Sequence, residues 1–289
     1  MKIRKAVIPA AGWGTRFLPA TKALPKEMLP LVDKPLIQYI VEEAISSSIE
    51  QIIIITSSGK SAIEDHFDRD FELEYILEQK GERGLLEEVR GIEDLANICY
   101  IRQKEQLGLG HAILTAEGLI GREPFAVFLP DDIFDAKVPL LKQMIEVYQR
   151  YQGSVLALRR VTKKETRRYG IIKPKQMEER LYQVLDVVEK PAPDEAPSDL
   201  AILGRYILTP EIFEALETTP PGWGGEIQLS DGLALMLQKQ AVYGYEFEGE
   251  YYDAGNPLGL LKATVALALS HPQIGADFKE YLRRLSTNL

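Results

Sequence analysis

The sequence predicts an α/β fold built on a mostly parallel mixed central sheet, and three observations point there. Short apolar runs of strand length alternate with longer amphipathic runs of helix length. The first strand breaks into a glycine loop, the place where an α/β sheet presents ligands at the carboxyl ends of its strands. At 289 residues the chain is long enough to bury a large core as one domain or two lobes.

The first strand spans Ile3–Pro9, and its Ala6-Val7-Ile8 run reads as buried on both faces. It delivers Ala10-Ala11-Gly12-Trp13-Gly14-Thr15-Arg16, then Lys22 and Pro25-Lys26-Glu27-Met28-Leu29-Pro30. Pro19, Pro25 and Pro30 stiffen this stretch and deny it a continuous helix. A helix over Pro35–Ser48 leads to a second strand, Gln51–Thr56. Gly59-Lys60-Ser61 mimics the tail of the phosphate loop G-x-x-x-x-G-K-[ST], but the required earlier glycine is Ile54. It reads instead as a strand-to-helix turn capped by the nearby serines. Glu72–Asp94 reads as a charged, solvated helical hairpin inserted between two strand units.

The next strand, Ile98–Arg102, carries the single cysteine, Cys99, expected as a buried and inert thiol. A helix over Gly110–Leu119, a strand over Phe125–Leu129 and a helix over Val138–Tyr151 follow. After about Gly153 the strands crowd together at Ser154–Leu158, Ile171–Pro174, Gln183–Val188, Asp199–Leu208 and Val242–Phe247. With helices over Ile227–Lys239 and Pro257–Ser270, this spacing predicts an α+β second half that completes the sheet. Pro191–Pro197 reads as a stiff surface loop and not as a linker. A single domain is expected over 1–289, with halves near 1–135 and 136–256 and C-terminal helices over 257–289.

Charge bounds the function. Lys and Arg number 34 against 43 Asp and Glu, a net charge of −9, and nothing in this acidic balance suggests the basic face that nucleic acids require. An acidic chain that handles anions must concentrate its cations locally or recruit a metal. One cysteine allows no internal disulfide. No signal peptide is read at the start, and no apolar run reaches the ~18 residues that span a bilayer. The expected location is the cytoplasm.

The opening loop does concentrate cations. Gly12 and Gly14 allow a sharp turn and let N–H groups approach an anion with no Cβ in the way. Arg16 can fork onto phosphate oxygens, while Lys22 and Lys26 supply point charges. A dinucleotide fingerprint is excluded, because its third glycine is Phe17. The bland alternative is a glycine turn with solvated cations; the spacing of Arg16, Lys22 and Lys26 favours polyphosphate binding. Downstream, Asp131 ends a strand and points into the ligand crevice, where a carboxylate can hold a hard cation, unless it is only a cap or turn residue. Asp132 is expected to be structural, since successive side chains of a strand end point apart. Asp253, beside the small residues Ala254-Gly255, is a second candidate for the same cation.

Gly12-x-Gly14-Thr15-Arg16-x2-Pro19-x-Thr21-Lys22 with Pro25–Pro30 resembles the sugar-phosphate nucleotidyltransferases. Within them it is similar to the bacterial UTP–glucose-1-phosphate uridylyltransferases. Matching pieces run the length of the chain, among them Asp33–Tyr39, Phe71–Glu74, Gly108–Ala112, Leu129–Asp132, Tyr169-Gly170, Val188–Pro191, Gly204–Tyr206, Gly225–Leu229 and Asp253–Asn256. The resemblance implies a Rossmann-like nucleotidyltransferase fold whose second half covers the sugar. It implies transfer of UMP from UTP to glucose 1-phosphate, giving UDP-glucose and pyrophosphate with Mg2+. It treats the Glu72–Asp94 insertion as the mark of uridylyltransferases against shorter thymidylyltransferases.

Residue by residue, the resemblance implies Arg16, Lys26, Asp131 and Lys190 for catalysis, with Asp131 and Asp253 on the metal. Ala10, Ala11, Gly12, Gly14, Thr15, Glu27, Gln103 and Gly108 would bind the nucleotide, and Gly170, Glu189, Lys190 and Arg205 the sugar phosphate. His111 is expected at a helix start, acting through a neighbour and not as a base. Trp13 stands where the family pattern has a smaller apolar residue. Relatives are commonly homodimers or homotetramers. Two alternatives stay open: a thymidylyltransferase making dTDP-glucose, and a catalytically silent sugar-nucleotide-binding subunit, which should have lost some of these charged residues.

Overall fold

Nine strands form the central sheet of the structure, a computed structural model that describes residues 2–287. In spatial order they are Asn97–Arg102, Gln51–Thr56, Lys5–Pro9, Phe125–Phe128, Leu200–Leu208, Ser154–Arg160, Val242–Glu246, Leu181–Glu189 and Gly170–Gln176. The first four run parallel. Leu200–Leu208 is antiparallel to both its neighbours, and beyond it only Val242–Glu246 on Ser154–Arg160 is parallel. The sheet is therefore mixed, with its parallel character concentrated in the first half.

Its strands read as continuous apolar runs because both faces are covered. Ala6 and Ile8 enter one core with the helices Leu36–Ser46 and Leu140–Tyr151. Val7, between them, enters the other core with Leu109–Leu114, Glu211–Thr218 and Leu229–Met236. Ile52 and Ile54 alternate against Ile53 and Ile55 in the same way.

Some local expectations shift. The helix expected over Gly110–Leu119 is two short ones, Leu109–Leu114 and Glu117–Ile120. Thr115 lies at the break, its hydroxyl turned back onto the His111 carbonyl at 2.9 Å, a bond that loosens a helix. The Gly59 turn does start a helix, Ser61–Phe67, but no serine side chain caps it. Ser57 instead donates to the Ala11 carbonyl at 3.1 Å. Cys99 is half-buried and not fully enclosed, with Gln51 Nε2 3.4 Å from its sulfur. The charged hairpin is present as Phe71–Lys80 and Arg83–Glu93. One acid within it, Glu74, is buried between Arg69 and Arg90, whose hydrogen bonds hold its carboxyl down at about 2.

A two-stranded antiparallel ladder, unforeseen from the sequence, pairs Asp132–Asp135 with Glu250–Asp253. Asp132 lies opposite Asp253, and the Ala254 N–H donates to the Asp131 carbonyl at 2.8 Å. This small ladder brings the two distant acidic segments to the mouth of the sheet. Among the described residues, no helix is long and apolar enough to cross a membrane.

Candidate active site

Two cavities meet at the carboxyl ends of the parallel strands. The nucleotide-side lobe, about 510 Å³, is walled by the first loop from Ala11 to Phe17, by Lys26, and by Gln103 and Gly108. A second lobe of about 600 Å³ is walled by Gly170, Glu189, Lys190, Trp223, Ser230 and Asp253. Arg16 and Asp131 border both. Each lobe has the size of a small-molecule site.

The first loop is shaped by its glycines and anchored from behind. Gly14 has φ 67°, the left-handed region that favours glycine, and Thr21 donates to its carbonyl at 2.8 Å. Ala11's carbonyl accepts from Gln106 at 3.0 Å as well as from Ser57. Ala10 departs from expectation: it is fully buried, its N–H donates to Ile55 at 2.8 Å and its carbonyl accepts from Lys60. With both backbone groups engaged, Ala10 supports the loop from below and is not part of the cavity wall. Lys22 is exposed and lines neither lobe.

Lys26 reaches across the cavity to Asp131, Nζ to Oδ2 2.6 Å, with both side chains about one-fifth exposed. Burial opposes charge on both groups, but each overrides it for the other: Asp131 lifts Lys26 above its usual range, and Lys26 draws Asp131 below its own. Glu27 takes a different place from the expected one. It is fully buried, 2.8 Å from Lys60 Nζ, and lines neither lobe. Burial pushes the Glu27 carboxyl up and the Lys60 ammonium down, and their mutual attraction opposes both shifts. Lys60 is a residue that sequence reasoning passed over, because the failed phosphate-loop match around it left a structural role with no signal.

Gln103 and Gly108 stand together. The Gln103 amide nitrogen is 3.2 Å from the Gly108 carbonyl and 2.9 Å from His111 Nδ1, so His111 orients Gln103. In the second lobe, Glu189 and Lys190 are 3.1 Å apart and Gly170 lies against the Glu189 carboxylate. The Ser230 hydroxyl, in the same wall, is buried without a partner.

Arg205 also departs from expectation. At 0% exposure it lies behind the lobe and not in its wall. It donates to Glu43 at 2.8 Å and to the carbonyls of Leu129, Gly204 and Asp132 at 3.1, 2.9 and 2.9 Å. Its guanidinium also lies 4.7 Å from each of the Phe128 and Phe134 rings. Arg205 thus fixes the turn that carries Asp131. A lone arginine in the otherwise apolar Leu200–Leu208 run was the available sign of such a core role.

Asp132 also borders the second lobe, but both its carboxylate oxygens are engaged within the protein. Gly204 N–H and the Tyr251 hydroxyl donate to its two oxygens at 2.6 and 2.9 Å. Burial and then the neighbouring Asp131 push its carboxyl up to about 7.

The nucleotidyl transferase family pattern matches residues 5–269. The chain belongs to that family. This nucleotidyl transferase is 56% identical, over 98% of its length and 99% of the relative's, to a UTP–glucose-1-phosphate uridylyltransferase of Staphylococcus epidermidis. In three dimensions it is similar to a UTP-bound UGPase from Acinetobacter baumannii. The TM-score is 0.92 at 42% identity, over 98% of this chain and 100% of that one. It is also similar to a UDP-glucose pyrophosphorylase complexed with UDP-glucose. There the TM-score is 0.86 at 45% identity, over 93% and 100%.

Nucleotidyl transferases of this family generally use a divalent metal. The residues fit one. A Cβ added at Gly255 would lie 2.6 Å from Asp131 Oδ2 and 3.1 Å from Asp253 Oδ1, so the two carboxylates face one small space that only glycine leaves open. The donors are hard oxygens, suited to a hard cation. Among the described residues no group of three or more His, Cys, Asp or Glu side chains is placed to hold a metal. Substrate oxygens would have to complete the shell. Lys26 pairs with Asp131 and Arg168 with Asp253, so each carboxylate has a cation beside it.

Proposed function

We propose that the chain transfers UMP from UTP to glucose 1-phosphate, forming UDP-glucose and pyrophosphate. The observation that carries this reading is Asp131 at the junction of two lobes, with a cationic glycine loop on one side and Glu189-Lys190 on the other. The relatives of 42–56% identity reported above are named for uridylyl transfer or UDP-glucose, whereas a putative glucose-1-phosphate thymidylyltransferase of Bacillus anthracis matches at 25% identity and TM-score 0.70, which supports UTP over dTTP.

In this reading Ala11, Gly12, Gly14 and Thr15 receive the triphosphate, and Gln103 and Gly108 meet the base. Gly170, Glu189 and Lys190 receive the sugar phosphate, Glu189 accepting from hydroxyls and Lys190 pairing with phosphate. The attacking phosphate oxygen is already ionised, so no general base is needed; positioning and charge neutralisation suffice. Arg16 and Lys26 face the α-phosphate and the leaving pyrophosphate, and Lys26 can exchange Asp131 for a phosphate oxygen as charge builds. Ala10, Glu27 and Arg205 act from behind, through the loop and the Asp131 turn. Asp131 and Asp253 would hold Mg2+, which when bound supplies Lewis-acid neutralisation of phosphate charge.

The whole chain works as one unit in this account, residues 1–135 serving the nucleotide and 136–256 the sugar. The C-terminal helix Pro257–Ser270 exposes Leu258, Leu261, Val265 and Leu269 on one stripe, which supports a homodimer or homotetramer. The single cysteine and the nucleotide substrates suit a cytoplasmic setting.

Pyrophosphate release from UTP and glucose 1-phosphate with Mg2+ tests the reading, with dTTP in parallel and EDTA as control. UTP-selective, EDTA-sensitive release is expected. Preference for dTTP would move the activity to thymidylyl transfer. No release from folded protein with either nucleotide would leave the silent binding subunit.

A further inference from the structure

The two tryptophans of the chain stand in different lobes, Trp13 with the nucleotide-side residues and Trp223 in the wall beside Glu189 and Lys190. Trp223 is 60% exposed at the rim of the second lobe. The backbone that carries it is held in place. Its carbonyl accepts from Gln228 Nε2 at 2.9 Å, and Gly222 N–H closes the loop base on the Glu226 carbonyl at 2.8 Å.

Lys190 Nζ lies 4.0 Å from the centre of the Trp223 ring and 3.1 Å from Glu189 Oε1. The Lys190 backbone has φ 45°, left-handed although the residue carries a Cβ, and its N–H donates to the Tyr169 carbonyl at 3.0 Å. An aromatic face attracts an ammonium through its quadrupole. A lysine ammonium on a flexible four-carbon stem, left with Glu189 alone, would settle fully onto that carboxylate and occupy both groups. The ring engages the same cation from a second side, so the ammonium is held between the indole and Glu189 Oε1.

We propose that Trp223 is a positioning residue for the sugar phosphate: its ring holds the Lys190 ammonium over the second lobe and screens that lobe from water. This inference rests on reading that lobe as the sugar-phosphate site.

Steady-state kinetics of Trp223→Ala and Trp223→Phe give the first test. W223A should raise KM for glucose 1-phosphate by about five- to tenfold, a factor within the range of cation–π contacts, and leave kcat and KM for UTP within about twofold. W223F, which keeps a ring, should recover most of the loss. A merely structural role would shift both KM values together and would not be rescued by Phe. Fluorescence gives a second readout. In Trp13→Phe protein, Trp223 is the sole tryptophan; UDP-glucose, which carries the sugar phosphate, should change its emission and UMP, which lacks it, should not. If W223A keeps the KM of the unmodified protein for glucose 1-phosphate, and UDP-glucose and UMP give the same emission, the inference is overturned. Turnover of UTP and glucose 1-phosphate by the unmodified protein separately tests the reading beneath it.

Discussion

Lys26 and Glu27 are neighbours in one short turn, Lys26–Met28, yet their side chains leave it on opposite sides. Lys26 crosses a solvent-reached cavity to Asp131, while Glu27 turns into the protein and meets Lys60. Both contacts join a lysine to a carboxylate at 2.6 and 2.8 Å. What separates them is exposure: 19% and 21% for the first pair, 9% and 0% for the second. A pair that water and ligands can reach is free to trade partners. A pair sealed from water is a strut, costly to break because the survivor is left charged or unpaired in the core.

The largest effect should come from breaking the strut. Lys60→Met is expected to cost about 3–5 kcal/mol of stability, read as a lowered urea midpoint. Replacing both partners, as Lys60→Met with Glu27→Leu, should restore much of it, since a well-packed apolar pair of similar volume is often as stable. An unchanged midpoint in the single variant would erase the distinction between the two pairs. Lys26→Ala should do the opposite: kcat down by ~10²–10³, roughly 2.7–4 kcal/mol of transition-state stabilisation, with stability within about 1 kcal/mol. Near-normal turnover would remove Lys26 from the chemistry, and a fall in stability matching that of Lys60→Met would make both pairs struts.

Glu74 gives the smallest and most local contrast, an acid gripped by two arginines with no ligand role. Its carboxylate favours the fold, so its contribution is complete above the ordinary value of 4.5 and fades as pH falls toward about 2. Between pH 5 and 3 the urea midpoint of the unmodified protein should therefore fall more steeply than that of Glu74→Gln. Parallel curves would mean that the pairing does not stabilise the hairpin.

The same exposure rule explains what was legible in the sequence. Gln51–Thr56 and Pro257–Ser270 were placed with the bounds that the structure shows, because an isoleucine run and a proline-started apolar helix leave little choice. The first loop was legible through Gly14, Arg16 and Lys26, residue types that serve phosphate at that spacing. Glu27 and Arg205 were assigned to ligand walls because a charged letter does not state its direction. In a three-residue-per-turn segment, adjacent side chains diverge by about 120°, enough to send Lys26 to the cavity and Glu27 to the core. The Asp132–Asp135 and Glu250–Asp253 ladder left no pattern at all. Each strand is four residues long and starts or ends on acids, too short for a period to register.

That ladder also sets a clock. A ribosome that has made the first half of the chain has already made the phosphate loop and Asp131. Their partner strand, Glu250–Asp253, comes only near the end of synthesis. Until it arrives, the Asp253 carboxylate is missing from the space beside Asp131 that Gly255 leaves open. The two carboxylates that flank Gly255 therefore come to face one another only when nearly the whole chain has been made.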